Sequence, residues 1–455
     1  MADSYFRQLW EHTAFPGGIQ LQTDDAAEPS AVRIGRQQGV YVYQVPGGDL
    51  AHGSSLGNDR TWIISKGSGA IEGIYSIADG LTIAGAFAVS YFTRARELSP
   101  YGWPRAGGMA RRDPDSLVML TAADGADVLL HPAYQQRRQT LLGQLEVLET
   151  LFLPRAAGED PRAAYYHTEV RNASTREATV IINASLDPQG DTALDLAGRM
   201  LEGTGVLVWN AGQPRQARLL ASRTAPERYV LTQDVDDVTD PSHLFTNDTT
   251  ARGRAYAGLQ HAVRLAPGDH YQVTFIVAFT AEGEAALIRD AAGLPDAETA
   301  LRQTVAWYAP YLFTSAIATP DTLINQGAQW CKANALRVLA RYPTGLAFTN
   351  NPGESSHVVA RDVTWYAYGA DSFYPEACCD MYAMLARLQT AEGKIVEYYD
   401  ALTGAAEDYG LNINDNTPLF VLGVAHHLRQ TGHARCTALI EPMCRAVDYL
   451  LSQRD

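Results

Sequence analysis

The sequence is short of cysteine, of positive charge and of long apolar runs, and each shortage removes a class of protein. Five cysteines occur in 455 residues, Cys331, Cys378, Cys379, Cys436 and Cys444. An odd set confined to the last third argues against a disulfide framework, and adjacent Cys378 and Cys379 have no second pair at zinc spacing. Free, partly buried thiols in a reducing cytoplasm are expected, with no metal and no cofactor. Lys and Arg number 36 against 51 Asp and Glu, a net charge of −15. Such a chain repels phosphate backbones and anionic lipid, so neither nucleic acid nor membrane is an expected partner. No run reaches the roughly 18 apolar residues of a membrane helix. The opening decapeptide, with Asp3, Arg7 and Trp10, lacks the apolar centre of a secretory signal. Without export, the sequon matches at Asn172, Asn183 and Asn247 are expected to be chance. No Gly-x-Gly-x-x-Gly or P-loop follows a strand and opens a helix. No Gly-x-Ser-x-Gly elbow is present, so nucleotide-binding and nucleophilic-hydrolase readings lack support.

What remains is ordinary globular composition, 46% apolar and 19% charged, in a chain too long for one compact core. Residues 1–280 carry a strand pattern: short apolar runs punctuated by Gly47-Gly48, Asp124-Gly125 and Pro267-Gly268-Asp269. Leu145–Leu153 reads as a strand with a mixed face, Tyr165–Arg171 alternates, and Ala178–Asn183 and Tyr271–Phe279, rich in β-branched residues, read as buried strands. A large antiparallel sandwich is expected. Residues 281–319 read as a linker with helical pieces. From 320 to 455 the period becomes helical. Leu323, Gly327, Trp330, Asn334 and Arg337 share one face; Ile324, Ala328, Cys331, Ala335, Val338 and Leu339 share another. Further helices are expected over Glu376–Leu388, over Thr417–Thr431 with Gly432 as its cap, and over Ala434–Ser452. Two long loops rich in aromatic residues, Tyr342–Ala360 and Thr390–Asn416, lie between them and point to function.

Two constellations carry candidate chemistry. Arg361-Asp-Val-Thr-Trp-Tyr-Ala-Tyr opens a helix directly after the first loop. Asp362 there could simply be a helix cap. Alternatively, Arg361 and Asp362 offer a planar donor fork beside an acceptor pair, which suits adjacent hydroxyls of a pyranose. Trp365, Tyr366 and Tyr368 supply flat faces for the C–H side of a sugar, or they fill core. In the second constellation Asn412, Asn414, Asp415 and Asn416 exceed what capping the helix near Pro418 needs. They could line a polyol site or form a solvated loop. His426 and His427 point about 100° apart on a helix and are not expected to share an ion. His357 sits in the first loop and is a candidate substrate contact.

On these residues the sequence resembles glucoamylases and the glucosidase domain of glycogen debranching enzymes. Arg361-Asp-Val-Thr-Trp is similar to the Arg-Asp signature at the start of their second barrel helix. Gly393-Lys-Ile-Val-Glu-Tyr-Tyr399 resembles an intervening loop of theirs. Asp415-Asn-Thr-Pro-Leu-Phe is similar to their later Asp-containing element. The resemblance spans roughly residues 321–455 in motif, and only in domain order before that. It implies an N-terminal antiparallel β-supersandwich followed by an (α/α)6 six-hairpin barrel, here apparently incomplete. It also implies inverting hydrolysis of terminal glucosidic bonds in oligo- or polysaccharides. Arg361, Asp362, Trp365, Tyr366, Asn412, Asn414, Asp415 and Asn416 then become substrate contacts. Inversion needs two carboxylates roughly 6.5–9.5 Å apart. In the family these lie on later loops, near or past Asp455, so Asp362 and Asp415 are only the fallback pair, with Glu354 and Glu397 weaker. A second chain or segment, or a homo-oligomer, would complete the barrel. A glycoside phosphorylase of similar architecture and a non-catalytic glycan-binding protein are the alternatives.

Overall fold

The computed structural model describes residues 3–15, 32–50, 53–76, 81–101, 113–188, 195–249, 253–350, 352–353, 355–407, 415–432 and 434–453. Two large sheets hold most strands between Arg33 and Thr280, one of ten strands and one of nine, almost wholly antiparallel. The strand Ala163–Asn172 shows why these sequences read as apolar without clean alternation. Its Tyr166 and Val170 face the core between the sheets, beside Phe87, Tyr91 and Phe275 of neighbouring strands. Its Ala163 and Tyr165 face the opposite way, into a second core shared with the helices. Strand His270–Thr280 divides likewise, with Phe275 and Val277 on one side and Ile276 and Ala278 on the other. A strand buried on both faces reads as a continuous run because neither face meets water.

Among the described residues nine α-helices form. Helix α1 (Tyr5–Glu11) is capped by Ser4, and α2 (Asp236–Thr239) is a single turn. Helices α3 (Glu284–Gly293) and α4 (Ala297–Phe313) occupy the stretch expected as a linker. They are regular helices that cover the outer face of the ten-stranded sheet: Leu287, Leu301, Tyr308 and Leu312 join the second core. Next come α5 (Thr322–Arg337), α6 (Ala360–Ala370), α7 (Pro375–Arg387), α8 (Asn416–Thr431) and α9 (Ile440–Ser452). Helix α6 packs on both α7 and α8, and α8 packs on α9. Gly432 ends α8 in the left-handed region at φ 59°, as its position led one to expect. Helix α5 stops at Arg337, earlier than its periodicity suggested, because Leu339–Tyr342 turns into a hairpin with Gly345–Phe348. No helix among the described residues is long and apolar enough to cross a membrane.

A buried arginine joins the sandwich to the helices. Arg155 donates to Asp160 at 2.9 Å, to the Gly57 carbonyl at 3.0 Å and to the Leu336 carbonyl at 3.1 Å. Its guanidinium lies 4.1 Å from the Trp307 ring centroid. Groups from both halves satisfy the charge, so it does not stand unpaired in the core.

One expectation is corrected. Cys379 and Cys436 form a disulfide, leaving Cys331, Cys378 and Cys444 as thiols. An odd cysteine count rules out a complete framework but not a single pair. Packing of α7 on the 3₁₀ turn Ala434–Leu439 brings the two Cα atoms to 5.9 Å.

Candidate active site

The two aromatic loops are tied into one structure. His357–Val359 pairs antiparallel with Tyr398–Asp400, which pairs in turn with Ala406–Glu407. This small sheet ends at the first residue of α6, where the Ala360 N–H donates to the Glu397 carbonyl at 3.0 Å. The Ile395 N–H donates to Thr417 Oγ1 at 3.1 Å, which holds the same loop against the start of α8. Thus the three stretches centred on Arg361, Gly393 and Asp415 meet through one backbone bond and one bond from backbone to side chain.

Arg361 and Asp415 close the arrangement with a forked ion pair, Nε to Oδ2 at 2.8 Å and Nη2 to Oδ1 at 3.0 Å. Two parallel charge-assisted bonds fix the guanidinium plane. Both side chains remain about half exposed, 44% and 46%, so the pair adds little to stability and stays reachable by ligand. Asp362 lies in the first turn of α6 and is not its cap, a position held by Val359. Its carboxylate accepts from the Asn350 side-chain amide and helps line an open cavity of about 390 Å³. Phe348, Asn350, Ser355, His357 and Tyr398 form much of the remaining wall. Tyr366 stacks on Phe348 with ring centroids 5.4 Å apart. Burial, and secondly the Asp362 charge, push its hydroxyl above the usual tyrosine range.

Trp365 is 58% exposed, one helical turn from Arg361 on the same face of α6. It contacts Tyr368 at 5.9 Å, and Tyr368 stacks on His426 at 3.9 Å. An indole this open in the middle of α6 offers a flat apolar face to a ligand. Of the described residues expected to contact a sugar, Asp362 lines the cavity and Arg361, Trp365, Tyr366, Asp415 and Asn416 do not; Asn416, the first residue of α8, is 3% exposed and turned inward. Asn412 and Asn414 lie outside the described residues, as does Glu354. Glu397 is 1% exposed, facing the interior rather than a rim. His357 lines the cavity and approaches Glu407 at 3.5 Å.

Asn350 and Ser355 were not singled out in the sequence, where their one signal was membership of the first aromatic loop; Tyr398 entered only as part of the Gly393–Tyr399 motif and without a role of its own. The sandwich also reaches this region: the ring of Trp62 lies so close to Gly353 that a Cβ there would come within 2.2 Å of it.

No family model matches the sequence, and no curated protein matches it. Solved structures do. One is a protein assigned as a kojibiose phosphorylase from human microbiome, at 11% identity and TM-score 0.56, covering 90% of this chain and 59% of that one. Another is a bacterial glucoamylase complexed with acarbose, at 10% identity and TM-score 0.55, covering 97% of this chain and 62% of that one. The chain therefore spans about three fifths of the length of these structures. At such identity the likeness is one of fold: a β-sandwich region followed by a helical region of glucoamylase-like architecture.

Proposed function

We propose that this chain forms the sugar-binding part of a carbohydrate-active enzyme of the inverting glycosidase type, acting on terminal glucosidic bonds. The observation that carries the reading is the placement of Asp362 in the wall of a half-open cavity, one residue along α6 from the half-exposed Arg361 that forks onto Asp415. A pyranose presents neighbouring hydroxyls that both donate and accept, and a fixed carboxylate and guanidinium answer both needs. Phe348, Tyr366 and the exposed indole of Trp365 give apolar faces to the ring C–H groups. The fold neighbours support the same substrate class, since both are named for sugar-processing activities.

Asp362 and Asp415 are the carboxylates this cluster offers to the chemistry. Asp415 has both oxygens on Arg361, which suits it to holding the guanidinium and a sugar hydroxyl more than to shuttling a proton. We therefore assign the pair to substrate binding. The acid and base would then come from a further segment or a second chain that completes the barrel. Phosphorolysis is the second reading, favoured by the phosphorylase neighbour. A panel of α-glucans, trehalose and β-glucans, assayed with and without phosphate on the full-length protein, separates the readings. Free sugar released without phosphate supports hydrolysis. Sugar phosphate formed only with phosphate supports the second reading. Binding without turnover supports a glycan-binding role. Failure of every sugar to bind contradicts the carbohydrate assignment.

A further inference from the structure

The helices packed on α6, which lines the cavity, gather three side chains that sugar binding does not use. Cys379 of α7, His427 of α8 and Cys436 of the turn Ala434–Leu439 are all buried. One ligand-capable atom from each, two sulfurs and a ring nitrogen, lie within 4.8 Å of one another. Behind the histidine stands a carboxylate: His427 Nδ1 lies 2.6 Å from Asp371 Oδ1, and both side chains are fully buried. A carboxylate on one ring nitrogen fixes the tautomer and ring orientation, and it raises the basicity of the other nitrogen. That is how metal-bound histidines are supported. The other oxygen of Asp371 lies 3.8 Å from His426 Nε2, so one buried carboxylate serves both histidines while only His427 faces the two sulfurs. Adjacent histidines on a helix diverge, so His426 and His427 do not make a site by themselves. The second and third donors come from cysteines on other elements.

We propose that with its thiols reduced the protein binds one zinc-class divalent ion through Cys379, Cys436 and His427, oriented by Asp371. The disulfide between the same two cysteines is then the oxidised, metal-free form of the site. Two thiolates and an imidazole form the donor set that favours Zn²⁺ over hard cations such as Mg²⁺ or Ca²⁺. Binding displaces a proton from each thiol. Three protein ligands leave one tetrahedral position for water. In the absence of metal, oxidation forms one S–S bond and passes two electrons and two protons to a disulfide oxidant such as oxidised glutathione, which becomes two thiols. In a reducing compartment a disulfide is not the lasting state of such a pair, so the metal form would prevail there. The ion would join α7, α8 and the turn before α9.

The test uses the full chain, purified under reducing conditions with added Zn²⁺ and, separately, Co²⁺. Elemental analysis should find about one metal per chain. The Co²⁺ form should show sulfur-to-metal charge transfer and the intense visible bands of a tetrahedral site. After oxidation the metal should be released, with three free thiols where the reduced protein has five. The Cys379→Ser/Cys436→Ser variant should bind no metal. Asp371→Asn should weaken binding roughly 10- to 100-fold. Reduced wild-type protein that is folded by circular dichroism yet takes up neither ion overturns the proposal. So does a double serine variant that keeps the wild-type stoichiometry. If the variants misfold, the reduced and oxidised wild-type forms decide the matter without them.

Discussion

Asp415 stands where a helix cap would stand, yet its side chain makes no capping bond to α8 and goes to Arg361 instead. A cap would have contributed about 0.5–2 kcal/mol to the helix. Spending that carboxylate on a half-exposed guanidinium favours ligand contact over stability. Arg361→Ala should accordingly leave the melting temperature almost unchanged, because exposed pairs contribute little. The same change removes a charged donor worth about 1.5–3 kcal/mol to a bound hydroxyl, roughly a 10- to 100-fold loss of sugar affinity. Calorimetric titration beside thermal unfolding separates the two effects, and a large drop in melting temperature with intact affinity would contradict this role.

At the scale of elements, the loop carrying Gly393 bonds to the start of α6 and to the start of α8. Gly393 has φ 100°, and a Cβ there would lie 2.2 Å from the Arg445 carbonyl oxygen of α9. Gly393→Ala faces both backbone strain and a clash with main chain. It should destabilise the protein by about 1–3 kcal/mol and weaken sugar binding through displacement of Ile395 and Glu397. Chemical denaturation reads the first effect and calorimetry the second. The sandwich strands respond to acid. In the unfolded chain His131 and His261 titrate near 6.5, while burial pushes them down to about 3 and about 4. The Ala133 N–H donates to His131 Nδ1, which has to stay unprotonated to accept. Folded protein thus takes up these protons later than unfolded protein. Stability is complete above about pH 6.5 and declines as pH falls towards 4, by about 1.4 kcal/mol per pH unit for each histidine. His131→Asn should flatten the profile between pH 6.5 and 4.5, above the carboxylate range. An unchanged slope would count against it.

Much of this element order was legible in the sequence, since Leu145–Phe152, His270–Thr280 and Pro375–Arg387 have burial patterns that composition and period reveal directly. Pairings between distant segments were not. Nothing local in His357–Val359 specifies Tyr398–Asp400 as its partner, and nothing in Cys379 specifies Cys436. Arg361, Asp362 and Asp415 were identifiable as residues. That Asp362 would answer to Asn350, and that Asn416 would turn inward, depended on tertiary packing.

At the scale of the whole molecule, apolar exposure is concentrated in the helices. Of eleven exposed large apolar side chains among the described residues, only Met119 and Val235 belong to the sandwich region. The other nine run from Phe313 to Leu451, with Ile440, Val447 and Leu451 forming one stripe along α9. A stripe of exposed apolar side chains along one helix marks a candidate contact surface. The chain by itself should self-associate or bind a hydrophobic dye. Monodisperse, dye-negative monomers would show that this flank needs no cover.

The central claim places Asp362 in the floor of a sugar pocket, and calorimetric titration of wild-type protein and Asp362→Ala with the best-binding oligosaccharide tests it most directly. Loss of measurable binding, with circular dichroism and melting temperature nearly unchanged, is the predicted result. Equal affinity in the two proteins would contradict it.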